Sequence, residues 1–282
     1  MIYKSDVGQK VVLERYKEIL SFWPVENRQY HVDTRYGETF VIESGSRTKP
    51  PLLLLHGSVS NSFCWFGDVE RLSENYNVYA IDIIGEAGFS SPERPAYEKG
   101  HYAEWLKDVV SELALKSVSL VGLSLGGWMA LDFTTRYPEF ADNLILICPG
   151  GLSREKTGFL LKFIFYSFAG EWGKRKIWTL LNGGKKLELT SDGMRAAMDF
   201  TALISKHFKP RMAKLPLYGK DKLSRIDIPA MLIYGEKDCI HNVPESVDVF
   251  ERWVPKARIE VLPDTGHIVV NQTGRMLDFL AG

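Results

Sequence analysis

The sequence predicts an α/β protein in which a doubly wound, mostly parallel sheet of about eight strands carries an inserted helical cap. Three observations lead to this fold class. Short apolar runs recur along the chain, helix-compatible segments separate them, and one long interval lacks any strand pattern. The chain has 282 residues, of which 45% are hydrophobic and 25% charged, as in an ordinary globular protein.

The apolar runs have the pattern of strands buried on both faces of a parallel sheet, because they do not alternate between apolar and polar residues. They span 52–56, 77–82, 117–122, 143–148, 230–235 and 257–262. Helical patterns occur at 101–115, 124–136, 244–253 and 271–280. Alternation of this kind predicts right-handed crossovers. Before the first run, the sequence predicts a helix over 8–22 and a β-hairpin built from 29–36 and 38–44.

The interval between Cys148 and Ile228 contains about 80 residues without a buried-strand pattern, too many for one loop in a compact domain. We therefore expect a helical cap, or lid, over 151–220, with 1–150 and 221–282 forming the core. The interval is aromatic, with Phe159, Phe163, Phe165, Tyr166, Phe168, Trp172 and Trp178. These rings could pack a small core within the cap or line an apolar pocket above the sheet.

Charge and composition exclude several classes of partner. Lys plus Arg and Asp plus Glu both number 35, so no basic excess points to nucleic acid. No apolar run reaches the roughly 18 residues of a membrane span, and the N-terminus lacks the apolar segment of a signal peptide. The cysteines Cys64, Cys148 and Cys239 lack disulfide or zinc spacing. We expect a cytoplasmic protein without a membrane span.

One serine stands between glycines where the run 117–122 gives way to a helical pattern. The order strand, Gly-x-Ser-x-Gly, helix is that of a nucleophile elbow, and here it places Ser124 between Gly122 and Gly126. Glycine lets a strand and a helix approach closely at such a turn. The alternative is a plain turn or N-cap serine. We expect Ser124 to be a nucleophile, which then requires a base, an acid and an oxyanion hole.

The base and the acid are predicted from their places at strand ends. His267 follows the last predicted strand, and Asp238 follows the run 230–235. The chain order serine, aspartate, histidine is the one expected of this elbow. Glu236 is a rival acid, and Asp264 has the position of a turn former.

The other five of the six histidines are less suited to act as the base. His56 precedes the nucleophile in the chain, and its expected part is to hold the loop that follows it. The remainder, namely His31, His101, His207 and His241, lack comparable placement at a strand end.

Two backbone N–H groups are candidates for an oxyanion hole. Leu125 begins the helix after the nucleophile, where N–H groups have no intrahelical partner. The second donor should come from the loop after 52–56, where Gly57 allows the backbone to turn inward. We expect the Ser58 N–H, with Val59 as the second choice.

The chain resembles the α/β-hydrolase superfamily in the segments "LLLLHGS", "VYAIDIIGEAGFSSP", "LVGLSLGG", "YGEKD" and "TGH". The segments "SFWPVE", "DTRYGETFVIESG", "AIDIIGE" and "AEWLKDVV" resemble the naproxen-type bacterial carboxylesterases. The resemblance implies a serine hydrolase that cleaves carboxylic esters through an acyl-enzyme, using Ser124, Asp238 and His267 and no metal or organic cofactor. The aromatic cap, with Phe63, Trp65 and Phe66 in the loop after His56, favours small, fairly hydrophobic substrates.

One loop departs from the common superfamily pattern. Many relatives have Gly-x-Gly-x-Ser after the aspartate, whereas this chain has Gly-Glu-Ala-Gly-Phe-Ser over 85–90. The extra residue alters this loop, and Glu86 is a candidate to face the pocket.

Two alternatives to an esterase stay open at this point. The same triad could cleave thioesters, lactones or C–C bonds, and a protein of this fold could bind a ligand without catalysis. The sequence also leaves the oligomeric state open.

Overall fold

The computed structural model describes residues 1–167, 169–185 and 192–282. Phe168 and residues 186–191, all within the predicted cap, lie outside the described residues.

The described chain forms one mixed, mostly parallel sheet of eight strands, which confirms the predicted fold class. The strands are β1 (Asn27–Val32), β2 (Thr39–Ser44), β3 (Pro51–Leu55), β4 (Asn77–Ile81), β5 (Val118–Leu123), β6 (Ala141–Ile147), β7 (Ala230–Gly235) and β8 (Arg258–Leu262). Their order is β1-β2-β4-β3-β5-β6-β7-β8. The predicted hairpin is the antiparallel pair β1–β2, β2 also runs antiparallel to β4, and β3 to β8 are parallel.

Helices connect the parallel strands and cover the sheet. They are α1 (Asp6–Leu20), α2 (Val69–Ser73), α3 (His101–Glu112), α4 (Leu125–Arg136), α5 (Thr157–Ser167), α6 (Gly170–Leu181), α7 (Asp192–His207), α8 (Lys220–Leu223), α9 (Val243–Trp253) and α10 (Thr273–Leu280). Helix α4 packs on β3, β5 and β6, and α3 packs on α4. Every residue of β4 and β7 is buried, in agreement with their predominantly apolar sequences.

The first helix begins and ends two residues earlier than the predicted range 8–22. It begins early because the Ser5 hydroxyl accepts a hydrogen bond from the Gly8 N–H and caps the first turn. It ends at Leu20, and Phe22, which the periodicity placed on the apolar face, is 69% exposed.

The long interval between β6 and β7 contains the helices α5, α6, α7 and α8. Helix α5 packs on α6, and α7 packs on α1, where Phe200 stacks on Tyr16 at 5.6 Å between ring centroids. Among the aromatic residues of α5 and α6, the ring centroids of Phe159 and Phe163 are 5.9 Å apart, and those of Tyr166 and Trp172 are 5.4 Å apart. These contacts favour the first alternative for the aromatic rings, in which they pack against one another.

Strands β3 and β5 meet helix α4 at two glycines. A Cβ at Gly126 would lie 2.3 Å from the Leu55 carbonyl oxygen, and one at Gly122 would lie 2.5 Å from the Gly126 carbonyl oxygen. Both neighbours are backbone atoms, which cannot turn away as a side chain can. Only residues without a Cβ allow the helix to begin this close to the strand ends.

Gly126→Ala should therefore lower the free energy of unfolding by about 2–3 kcal/mol, since the added methyl group overpacks a backbone contact. The control is Gly67→Ala, because no atom lies within 4 Å of a Cβ at Gly67. We expect the control to change stability by no more than about 0.5 kcal/mol. Urea unfolding of the three proteins measures both values, and equal effects at the two sites would contradict this account of the elbow.

Candidate active site

The serine at the elbow has a backbone conformation that non-glycine residues rarely adopt. Ser124 has φ 52° and ψ −106°, and it stands directly before the first residue of α4. Its N–H donates to the Ile147 carbonyl at 2.9 Å, which ties the turn to the end of β6. The strained turn leaves the side chain half-buried at the carboxyl edge of the sheet.

The structure brings the three side chains of the predicted triad together. His267 Nε2 lies 3.2 Å from Ser124 Oγ, and His267 Nδ1 lies 2.8 Å from Asp238 Oδ2. The Asp238 carboxylate only accepts hydrogen bonds, so Nδ1 carries the ring proton and Nε2 is left to accept from the serine hydroxyl. This arrangement can take a proton from Ser124 and stabilise the imidazolium that forms.

Asp238 is held as an ionised acceptor although its side chain is fully buried. Burial by itself raises the pKa of a carboxyl group, but the neighbouring His267 and backbone hydrogen bonds outweigh it and lower the pKa of Asp238 to about 2. Its second oxygen, Oδ1, accepts from the N–H groups of Ile240 at 2.7 Å and His241 at 3.1 Å. The aspartate is therefore fixed on both oxygens.

The loop that carries His267 is wedged between β7 and the end of α6. A Cβ at Gly235 would lie 2.1 Å from the Gly266 carbonyl oxygen, and one at Gly266 would lie 2.2 Å from the Leu181 carbonyl oxygen. The Ile268 N–H also donates to the Leu181 carbonyl at 3.1 Å. The imidazole is therefore positioned partly by the sheet and partly by the helices between β6 and β7.

The rival acids do not reach the histidine. Glu236 is exposed and accepts from the Asp264 N–H at 3.1 Å. Asp264 has φ 55° and pairs with Lys237 at 2.6 Å, as expected of a residue in a tight turn. Both carboxylates therefore stabilise the turn that precedes His267.

His56 joins two loops, as its position after β3 suggested. The Ile83 N–H donates to His56 Nε2 at 2.9 Å, so His56 Nδ1–H donates to the Gly57 carbonyl at 2.7 Å. Burial lowers the pKa of this ring, which favours the neutral form that both contacts require. Two of the other histidines also have local partners: His31 contacts the Phe89 carbonyl, and His101 contacts Tyr36.

The expectation that His241 lacks strand-end placement is wrong. It lies in the loop after β7, three residues beyond Asp238, and its ring centroid is 5.4 Å from that of His267. The residue is only 3% exposed, and neither ring nitrogen has a hydrogen-bond partner among the residues that the structure describes. The signal in the sequence was the position of His241 three residues after the predicted acid.

The two predicted oxyanion-hole donors are the Leu125 N–H, which follows Ser124 in the chain, and the Ser58 N–H, which follows Gly57. Leu125 is the first residue of α4, so its N–H has no intrahelical partner. Gly57 brings the other loop close, because a Cβ there would lie 3.6 Å from Ser124 Cβ. The following Ser58 N–H has no acceptor within the described residues. The second choice is excluded, because the Val59 N–H donates to Glu86 Oε2 at 2.7 Å.

Cys148, Asp238 and His267 place possible metal-ligating atoms within 4.8 Å of one another. Their chemistry does not suit a metal ion. Cys148 is fully buried, and burial raises the pKa of its thiol well above its usual range. Asp238 and His267 already bind each other through the atoms that would face an ion.

A cavity of about 250 Å³ lies next to the loop after β7. It is lined by Lys156, Gly158, Phe159, Lys162, Leu180 and Cys239. The Lys156 ammonium group donates to the Asp238 carbonyl at 2.7 Å, which joins the segment before α5 to the loop after β7.

None of the helices in the described ranges has the length and apolar character that crossing a membrane requires.

The eight-stranded sheet and the strained serine within reach of a histidine define a class of protein. Residues 52–279 match the model of the alpha/beta hydrolase family, and the chain belongs to that family.

Within the family, this chain is similar over nearly its whole length to bacterial carboxylesterases. It is 28% identical to carboxylesterase YbfK of Bacillus subtilis, over 95% of this chain and 93% of that one. It is 29% identical to the uncharacterized carboxylesterase nap of the same organism, over 91% and 86%. The crystal structure of naproxen esterase (carboxylesterase NP) from Bacillus subtilis superposes with a TM-score of 0.83 at 26% identity, covering 98% and 99% of the two chains.

The buried ring of His241 should make the fold sensitive to acid. Burial, with a smaller effect of His267, lowers the pKa of His241 to about 4 from the ordinary value of 6.5. The unfolded chain therefore binds a proton below about pH 6.5 that the folded protein rejects, so stability falls as the pH falls through this range. His241→Leu should remove about 2 kcal/mol of the loss between pH 7 and pH 5.

The measurement is urea unfolding of wild type and His241→Leu at both pH values. An equal loss of stability in the two proteins would show that His241 is protonated in the folded state or is not the group responsible.

Proposed function

We propose that this protein hydrolyses carboxylic esters through an acyl-enzyme formed on Ser124. The observation that carries the proposal is the hydrogen-bonded series from Ser124 Oγ through His267 to the buried Asp238. A serine hydroxyl is a weak nucleophile until an adjacent base accepts its proton. The similarity to bacterial carboxylesterases supports an ester as the electrophile.

In the first half-reaction, Ser124 Oγ attacks the ester carbonyl carbon while His267 Nε2 takes the hydroxyl proton. The carbonyl oxygen becomes an oxyanion, which the Leu125 and Ser58 N–H groups stabilise. The tetrahedral intermediate then collapses. The C–O bond to the alcohol breaks, the alcohol leaves with the proton from His267, and the acyl group remains on Ser124.

In the second half-reaction, neutral His267 removes a proton from water as the water oxygen attacks the acyl carbon. Collapse of this second intermediate breaks the bond to Ser124 Oγ and returns the proton to it, and the carboxylic acid is released. Asp238 keeps its charge throughout, because its low pKa leaves it ionised at the pH of the reaction. It holds the imidazole in one tautomer and stabilises the imidazolium twice in each cycle.

The substrates we propose are small and fairly hydrophobic esters that enter beneath a cap formed by 151–220. Half-buried aliphatic residues adjoin the proposed machinery in sequence: Val59 follows Ser58, Leu123 precedes Ser124, and Ile268 follows His267. The backbone contact between Leu181 and Ile268 supports a cap that meets the site directly. Helix α6 would then form one wall of the entrance.

Ser124→Ala should abolish the hydrolysis of p-nitrophenyl esters, with at least a 10³-fold loss of kcat, roughly the scale on which triad residues act. The fold should survive, because the change removes only the hydroxyl oxygen of a half-buried side chain. The measurement compares wild type and variant on acyl chains from acetate to long fatty acids, and the rate against chain length reports the size of the acyl site. Circular dichroism of the variant controls for folding.

Retention of wild-type turnover by Ser124→Ala would overturn the proposal. A wild type that hydrolyses no ester but is labelled at Ser124 by a fluorophosphonate would indicate an active serine with another electrophile, such as a thioester, a lactone or a C–C bond. Failure to label would favour a protein that only binds ligands.

A further inference from the structure

The loop after β4 places a carboxylate in the interior that the proposed reaction does not use. Glu86 is 3% exposed, although charged side chains are rarely buried without a partner. It belongs to the segment 85–90, in which this chain departs from the common Gly-x-Gly-x-Ser pattern. A buried acid in an altered loop beside a candidate oxyanion hole calls for a physical explanation.

The partner of this carboxylate is the backbone of the candidate oxyanion loop. Glu86 Oε2 accepts the Val59 N–H at 2.7 Å. Val59 has φ 59°, a left-handed conformation that is unfavourable for a β-branched residue. The short hydrogen bond holds Val59 in this strained conformation.

Ser58 is thereby fixed on both sides. The Gly57 carbonyl and the Ser58 N–H belong to one planar trans peptide and point in opposite directions. Because His56 Nδ1–H binds the Gly57 carbonyl, the Ser58 N–H points away from the His56 ring. On the other side of Ser58, Glu86 fixes the next peptide through the Val59 N–H.

Other contacts brace the same two loops without touching this turn. Asn61 Nδ2 donates to the Ala87 carbonyl at 2.8 Å, and the Ser62 N–H donates to Asp82 Oδ1 at 2.9 Å. These bonds hold the loops together further along the chain. The contact from Glu86 differs from them because it acts on the residue that directly follows Ser58.

We propose that Glu86 is a positioning residue for the ester hydrolysis: its carboxylate holds the Val59 amide and so orients the Ser58 N–H toward the oxyanion formed at Ser124. This inference rests on the proposed function. Glu86 does not touch the substrate in this arrangement and acts through Ser58 and Val59.

The surroundings of Glu86 make its charge responsive to pH. Burial raises the pKa of Glu86 to about 7, while the Val59 N–H, Arg94, Arg211 and the Ser58 hydroxyl oppose the rise. The phenols of Tyr3, Tyr97 and Tyr102 also face it, and burial raises the pKa of each, so they keep their protons. An ionised carboxylate accepts a hydrogen bond more strongly than a protonated one. Ionisation of Glu86 near neutral pH should therefore strengthen its hold on Val59.

Two substitutions separate the parts of this role. Glu86→Met keeps a similar volume and removes the acceptor, and it should lower kcat for p-nitrophenyl butyrate by roughly tenfold or more while KM changes little. Glu86→Gln keeps an acceptor without the charge and should retain most activity at pH 8. Below neutral pH, log kcat/KM of wild type should fall more steeply than that of Glu86→Gln, because only wild type has the Glu86 carboxylate that loses its charge there.

The matched control is Ser90→Ala in the same loop. The Ser90 hydroxyl binds the Phe40 N–H and the Asp82 carbonyl, so its loss removes buried hydrogen bonds without altering the Val59 turn. We expect a lower Tm with wild-type kcat. The inference would be overturned if Glu86→Met kept the wild-type kcat. It would also be overturned if both Glu86→Met and Ser90→Ala lost kcat in proportion to their loss of Tm.

If Glu86→Met does not fold, the pH profile of Glu86→Gln decides, and a profile identical to wild type overturns the inference. The rate of Ser124 labelling by a fluorophosphonate provides a readout without an ester. A labelled wild type that hydrolyses no ester would refute the proposed function alone, and slower labelling of Glu86→Met would still support the positioning role. A wild type that does not label would refute both.

Discussion

The close approach of helix α4 to strands β3 and β5 is the constraint on which the rest of the site depends. The backbone of Gly126 lies against the Leu55 carbonyl, and Gly122 lies against Gly126, so the chain must turn within two residues. The turn forces Ser124 into a strained conformation that its neighbours maintain. The same geometry leaves the Leu125 N–H without an intrahelical acceptor. The proposed nucleophile and one of the two proposed oxyanion donors therefore arise from one packing requirement.

Buried carboxylates connect the loops that surround this turn. Asp82 accepts hydrogen bonds from the Tyr16 hydroxyl at 2.8 Å, from Ser62 N–H at 2.9 Å and from Phe89 N–H at 2.9 Å, which ties helix α1 to both loops. Asp238 fixes the loop after β7, because it accepts hydrogen bonds from the N–H groups of Ile240 and His241. In each case backbone N–H groups donate hydrogen bonds to the carboxylate. A carboxylate that accepts several such bonds fixes an irregular segment more firmly than apolar contacts do.

The sequence was sufficient to predict the sheet and the residues that lie close together at its carboxyl edge. Uninterrupted apolar runs predicted the parallel strands because burial on both faces removes alternation. Strand ends then located Ser124, Asp238 and His267, since the ends of neighbouring parallel strands lie near one another in space. The surroundings of His241 and Glu86 could not be predicted in this way. Their burial depends on contacts with His267 and Val59 from distant parts of the chain, and neither residue occupies a periodic position. The cap boundaries and the catalytic roles stay predictions.

The bond between the Leu181 carbonyl and the Ile268 N–H has a consequence for how such a protein can diversify. Helix α6 lies in the segment 151–220, which we predict to be a cap, and the carbonyl of its last residue binds the loop that carries the imidazole. Exchange of this helix for one with a different surface would alter the position of His267 together with the shape of the proposed entrance. Under the proposed function, substrate selectivity and turnover would thus both depend on this contact, and a chimaera built at this junction would have to keep the helix and the histidine loop together.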